Sequence, residues 1–138
     1  MESFTNRSYK GKTLTASNTN DMKAVVETKA RMGSKPVIVI VKVSNPFVFS
    51  EIEKSASAIL IHMGVQDQAM MDILTGATEP SGLLPFQMPT DMKTVEEQFE
   101  DVPRDMKCYT DSEGNTYDFA YGLNWQGVIK DERVAKYK

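Results

Sequence analysis

The feature that most constrains this chain is a pair of short β-branched runs, VIVIVKV at Val37–Val43 and AILIH at Ala58–His62. The first follows Pro36 and lacks polar alternation over its first five residues, the pattern of a parallel strand covered on both faces rather than an antiparallel strand with one wet face. Helical patterns flank both runs. Asn20 is expected to cap a helix over Asp21–Met32, with Met22, Val25 and Val26 on one face and Gly33 just past its end. Asn45-Pro46 reads as an N-cap followed by a proline in the first helical position, starting a short helix to about Ser55. A third helix is expected from about Gln66 to Leu74, burying Met70, Ile73 and Leu74 and closed by Gly76.

The stretch TGATEPSGLLPFQMP then carries Pro80-Ser81-Gly82 as a turn and a short strand from Leu83, whose Pro85 lacks a donor and so belongs at a sheet edge or strand end. If Gly82 takes a positive φ in the Pro80–Leu83 turn, a valine there should destabilise the chain. The alternation of helix and strand implies a three-layer α/β/α sandwich with a mostly parallel sheet, flavodoxin-like or Rossmann-like. Residues 1–18 read as an N-terminal arm, 19–89 as the α/β core, and 90–138 as an acidic loop and irregular tail packed on it, with a helical turn around Thr94–Phe99.

Composition narrows the chemistry. A net charge of −3 without a Lys/Arg cluster gives no footprint for nucleic acid or an anionic membrane. The longest apolar run is too short to cross a bilayer, and MESFTNRSYK lacks the apolar core of a signal peptide, which leaves the compartment open. One cysteine, Cys108, and one histidine, His62, are too few for a zinc site built from those residues. Asp111-Ser112-Glu113-Gly114-Asn115 alternates acids as a calcium loop does, but Thr116 and Gly122 stand where glycine and glutamate are required. Neither a metal nor another cofactor is expected. No phosphate-cradling glycine loop follows either run, which argues against a nucleotide-binding module.

In α/β sheets ligands gather at the carboxyl ends of the strands, which places Ser44, Asn45, His62, Met63, Gln66 and Asp67 together as candidates for a substrate cleft or an interface. Each also has an ordinary structural reading, helix capping for Asp67 and a satisfied buried imidazole for His62. Tyr117, Tyr121 and Trp125 could stack on a sugar, against the alternative of packing on their own domain.

Taken in order, KPVIVIVKVSNP, AILIHMGVQDQAMMDILTGATEPSGLLPFQMP and YDFAYGLNW resemble the C-terminal α/β sandwich domain of family 3 glycoside hydrolases, the β-glucosidase family. The correspondence runs through Lys35-Pro36, Ser44-Asn45-Pro46, Val65 to Gln68, Gly76 to Pro85 and Phe119 to Leu123. It departs where the family's Gly-Gln-Glu-Gly-Gly becomes Val-Gln-Asp-Gln-Ala, and where the strand-end loop lacks an arginine. The resemblance implies exo-acting hydrolysis of terminal β-glucosyl residues through a covalent glycosyl-enzyme. It also implies an N-terminal barrel partner carrying the nucleophile aspartate, a carbohydrate substrate reached through the parent enzyme, and parents that are often periplasmic or secreted. This chain resembles the last part of such an enzyme, closing the cleft over a barrel that it lacks, and no catalytic residue is assigned to it. Before Asp21 its only acid is Glu2. The alternative is a non-catalytic α/β domain that binds a protein partner or a glycan. An exposed barrel-docking face would also favour self-association of the isolated chain.

Overall fold

A computed structural model describes Gly11, Thr13 and residues 18–99 and 101–137. The expected N-terminal arm, Glu2 included, falls largely outside the described residues. The chain folds into an α/β unit in which helix α1 (Thr19–Met32) leads to strand β1 (Ile38–Lys42), helix α2 (Ser50–Glu53), strand β2 (Ala58–His62) and helix α3 (Asp67–Leu74). After these come helix α4 (Met92–Glu97), a small hairpin of β3 (Leu123–Asn124) and β4 (Gly127–Val128), and helix α5 (Glu132–Ala135).

Helix α1 buries Met22, Val25 and Lys29 partially, a three- and four-residue spacing that repeats on one helical face. Val26 lies off that stripe and is exposed, contrary to its expected place on the packed face. The helix stops at Gly33, whose φ of 58° is left-handed and whose N–H reaches the Lys29 carbonyl at 3.1 Å. Asn20 lies inside the helix, which begins two residues earlier than its expected first residue.

β1 and β2 are parallel and in register from Ile38 opposite Ala58 to Lys42 opposite His62. The ladder extends one residue beyond β1, where the Val43 N–H donates to the His62 carbonyl at 2.9 Å. Among the described residues only one face of β1 is covered. Val37 and Val43 are buried and Val39 and Val41 half-buried, whereas Ile38, Ile40 and Lys42 alternate outward into solvent.

The helix expected from Asn45-Pro46 begins instead at Ser50. Phe49 is the cause: it is 3% exposed and meets Tyr109 and Tyr117 edge-on at centroid distances of 5.0 and 4.9 Å. Seating that ring draws residues 43–49 along an irregular path, and Ser50 Oγ then donates to the Thr90 carbonyl at 3.2 Å. Aromatic burial outweighs the local capping signal.

Residues 83–88 form no regular strand. Their backbone groups are instead engaged by the later chain: Leu84 exchanges bonds of 2.8 Å with Tyr121 and Ala120, and Met88 N–H reaches the Tyr117 carbonyl at 3.0 Å. Among the described residues the parallel sheet therefore holds two strands, and Leu83–Met88 are laced to the segment 117–121. Met88 and Pro89 are the most completely buried large side chains, with Phe49, Ala120 and Ile129 also buried. Asp91 caps α4 by accepting from the Thr94 N–H at 2.8 Å, which sets the helix start two residues before the expected Thr94. The hydrogen bonds from Thr94 also hold the Asp91 carboxyl below the usual carboxylate range.

Ala120 stands at φ 62° while only 4% exposed, a left-handed position for a residue with a Cβ. Replacing it with valine puts a β-branched side chain in that region with little room, and is expected to cost about 2 kcal/mol or more. Ala120→Gly relieves the backbone and loses one methyl, terms of opposite sign and about 1 kcal/mol each. Thermal melts check this: valine should lower the midpoint clearly, glycine should leave it nearly in place, and equal effects would contradict the assignment.

Candidate functional site at the carboxyl edge of the parallel strands

Because β1 and β2 run parallel, their carboxyl ends open on the same edge, and the bond from Val43 to His62 ties those ends together. Ser44 and Asn45 leave β1 there as an exposed bend, and Met63 leaves β2 beside them. No hydrogen bond joins Ser44 or Asn45 to the 62–67 segment among the described residues, so strand pairing alone brings the two loops side by side.

The second loop has a defined internal geometry. His62 Nδ1 accepts from the Gly64 N–H at 3.3 Å and the Val65 N–H at 3.5 Å. An acceptor Nδ1 carries no proton, so the neutral ring bears its hydrogen on Nε2 and offers a donor there. The structural reading of His62 is thus partly met, through its own turn rather than a core partner. Gly64 has φ 96°, which permits the tight return of the chain, and the Lys42 side chain passes alongside it. Gln66 is the N-cap residue of α3 in extended conformation, without a side-chain cap. Asp67 is the first helical residue and is exposed, so it does not cap α3, although an acid there complements the positive end of the helix. Met63 and Val65 are 54% and 51% exposed, an apolar rim around the polar groups.

Sequence reasoning missed Lys42 at this edge. It is the register partner of His62 and adds a cation beside the turn at Gly64. The available signal was its position as the one charge in an otherwise apolar strand.

The other singled-out residues lie elsewhere. Tyr117 and Tyr121 pack at 4.5 Å between centroids, and Tyr117 also faces Phe49 and Tyr109, so both belong to the aromatic cluster. Trp125 is 62% exposed at the turn of the β3–β4 hairpin, its backbone N–H directed to Glu79 Oε1 at 3.4 Å. The Asp111 carboxylate is occupied by protein donors: the N–H groups of Glu113 and Asn115 on Oδ1, and Asn115 Nδ2 and the Tyr117 hydroxyl on Oδ2. Burial raises its pKa, but those bonds together outweigh it and leave the carboxyl below its usual range. Cys108 accepts from Gln87 Nε2 at 3.1 Å, and burial with the nearby Asp118 charge pushes its thiol up to about 11, so it stays protonated near neutrality. No cluster of three or more His, Cys, Asp or Glu side chains suited to a metal occurs among the described residues.

What this edge belongs to follows from comparison with known proteins. Residues 6–125 match the glycosyl hydrolase family 3 C-terminal domain. The chain belongs to this family. Beta-glucosidase C of Emericella nidulans is 33% identical over 93 residues, covering 67% of this chain and 14% of the relative. The periplasmic beta-glucosidase/beta-xylosidase of Dickeya chrysanthemi is 26% identical over 120 residues, 87% of this chain and 17% of that protein. The chain therefore spans under a fifth of the length of these curated relatives. As a family 3 C-terminal domain it carries the ordered motifs of the sequence on one α/β scaffold, with Ser44-Asn45 following β1 and Val65–Gln68 following β2 at the carboxyl ends of the parallel pair.

Proposed function

We propose that this family 3 C-terminal domain closes the active-site cleft of an enzyme that hydrolyses terminal β-glucosyl residues, against a barrel domain that carries the nucleophile. The observation that supports it is the shared carboxyl edge, where two motif loops and the polar groups of His62, Gln66, Asp67, Ser44 and Asn45 open outward with Met63 and Val65 exposed beside them. Polar donors and acceptors ringed by exposed apolar side chains suit a surface shared by a sugar and a second domain. In this reading residues 19–89 are the working α/β part and residues 90–138 a brace packed on it. The open face of β1 is covered by further layers of the complete domain, giving the three-layer sandwich. Uncovered, that face and the edge rim also favour self-association of the isolated chain.

Retaining glycosidases need two carboxyl groups about 5 Å apart across an enclosed sugar. In this reading the chain supplies orientation and enclosure rather than both carboxylates. In this reading His62 Nε2–H is a donor toward a sugar hydroxyl, and Asp67, at the start of α3, an acceptor at the same edge.

The test uses a chimera in which this chain replaces the matched segment of the Emericella nidulans beta-glucosidase C. Asp67→Ala and Gln66→Ala should each lower kcat/KM for an aryl β-glucoside roughly tenfold, the scale of a lost hydrogen bond to substrate or to a charged group. Arg31→Ala, on the solvent face of α1, should leave it unchanged. Equal activity in all three variants would sink the assignment of the edge.

A further inference from the structure

The loop that carries Ser44 and Asn45 at the carboxyl edge has no fastening of its own. Both residues are exposed, and among the described residues no hydrogen bond holds either of them. Their path is set by what anchors the loop on each side. On one side the Val43 N–H donates to the His62 carbonyl, which ties the loop to β2. On the other side the anchor is aromatic: Phe47 is half-buried against Phe49 at a centroid distance of 5.9 Å, and Phe49 sits edge-on to Tyr109 and Tyr117.

Tyr117 is seated at both ends. Its N–H donates to the Tyr109 carbonyl and its own carbonyl accepts from the Met88 N–H, both at 3.0 Å, so its backbone is held against a fully buried residue. At the far end of the ring, which packs on Tyr121, the hydroxyl donates to Asp111 Oδ2 at 3.0 Å. Burial, with Tyr121 and Asp111 alongside, raises that hydroxyl above the ordinary phenol range, so it stays protonated and remains a donor. The Asp111 carboxylate is fixed in turn by the N–H groups of Glu113 and Asn115 and by Asn115 Nδ2. A ring held at its backbone and at its hydroxyl cannot swing aside, and in a close-packed cluster its placement decides that of its neighbours.

We infer that Tyr117 is a positioning residue for the Ser44–Asn45 loop: locked by Asp111, its ring fixes Phe49 and so sets where Ser44 and Asn45 stand at the candidate edge. The tail thereby tunes the site without touching a substrate. The inference rests on the reading of that edge as part of a sugar cleft.

Asp111→Ala and Tyr117→Phe test it, since both break the bond between hydroxyl and carboxylate and both keep every aromatic ring. In the full chain alone, isotope-labelled for nuclear magnetic resonance, the amide signals of Ser44 and Asn45 should shift or broaden in both variants, while those of Gly64 and Val65 in the other loop stay in place. Unmoved Ser44 and Asn45 signals in both folded variants overturn the inference, whatever happens to activity. In the chimera with Emericella nidulans beta-glucosidase C, each variant should raise KM for the aryl β-glucoside about fivefold, the scale of one hydrogen bond, with kcat nearly unchanged. A merely structural role would lower kcat through a smaller folded fraction at constant KM, and that result also overturns it. Asp67→Ala and Gln66→Ala in the same chimera separate the two readings. If they lower kcat/KM while Asp111→Ala and Tyr117→Phe leave KM in place, only the positioning role falls; if none of the four has an effect, the reading of the edge falls with it.

Discussion

Purified alone, the chain is expected to release no chromophore from an aryl β-glucoside above the buffer rate. Enzyme-level acceleration needs a nucleophile carboxylate and a proton donor positioned across the glycosidic bond to fractions of an ångström. The candidate edge offers one exposed carboxylate, Asp67, on a surface open to water, besides the paired strand ends at Lys42 and His62. Water keeps the local dielectric high and weakens each electrostatic contribution to the transition state. The assay should be repeated with Glu2→Gln, since Glu2 is the only acid before Asp21. Turnover by the chain that vanishes in this variant would make Glu2 a catalytic acid and end the reading of a cleft-closing part.

The second large effect is structural, at Gly122. A Cβ built there would lie 2.2 Å from the Gly82 carbonyl oxygen and 3.0 Å from Leu83 Cδ2, and the first of these is backbone that cannot swing aside. The neighbouring bonds, Leu84 N–H to Tyr121 and Ile129 N–H to the Gly122 carbonyl, fix both segments at that distance. Gly122→Ala should therefore cost about 3 kcal/mol or more, roughly a 10 °C drop in melting temperature for a domain of this size. Gly82→Ala is the control. Gly82 is not left-handed and its Cβ would meet open space, so the change should stay within about 0.5 kcal/mol. A melt in which Gly82→Ala is the more damaging would refute this packing.

That pair also shows what the sequence could and could not reveal. Pro80-Ser81-Gly82 reads as a turn, yet residues 79–84 run without one, and the glycine that close packing requires lies forty residues later, across a contact that no local pattern encodes. The same holds for Leu83–Met88. Its apolar run reads as a strand, yet its backbone hydrogen bonds go to Tyr109 and to residues 117–121 rather than to β1 or β2. AILIH, by contrast, coincides with β2, and Gly33 and Gly76 both stand at left-handed helix ends, because apolar runs and terminating glycines act over a few residues. The start of α2 was lost to Phe49, whose ring is claimed by tyrosines sixty residues onward. Asp131, which caps α5 by accepting from Arg133 and Val134, had a readable local signal in Asp-Glu-Arg-Val that was passed over.

For the candidate site, the parallel strand order was enough to bring Ser44, Asn45, His62, Met63, Gln66 and Asp67 to one edge. The tautomer of His62 and the approach of Lys42 were not readable, since both depend on the turn at Gly64. In the proposed reading the role of that edge depends on a second domain, and its test is therefore reconstitution.

The most direct measurement is aryl β-glucoside hydrolysis by Emericella nidulans beta-glucosidase C lacking its matched segment, with and without this chain supplied in trans or fused in place. The chain should restore turnover to a truncated enzyme that has none. A folded, associated complex that stays inactive, while the enzyme's own segment restores activity under the same conditions, would contradict the account.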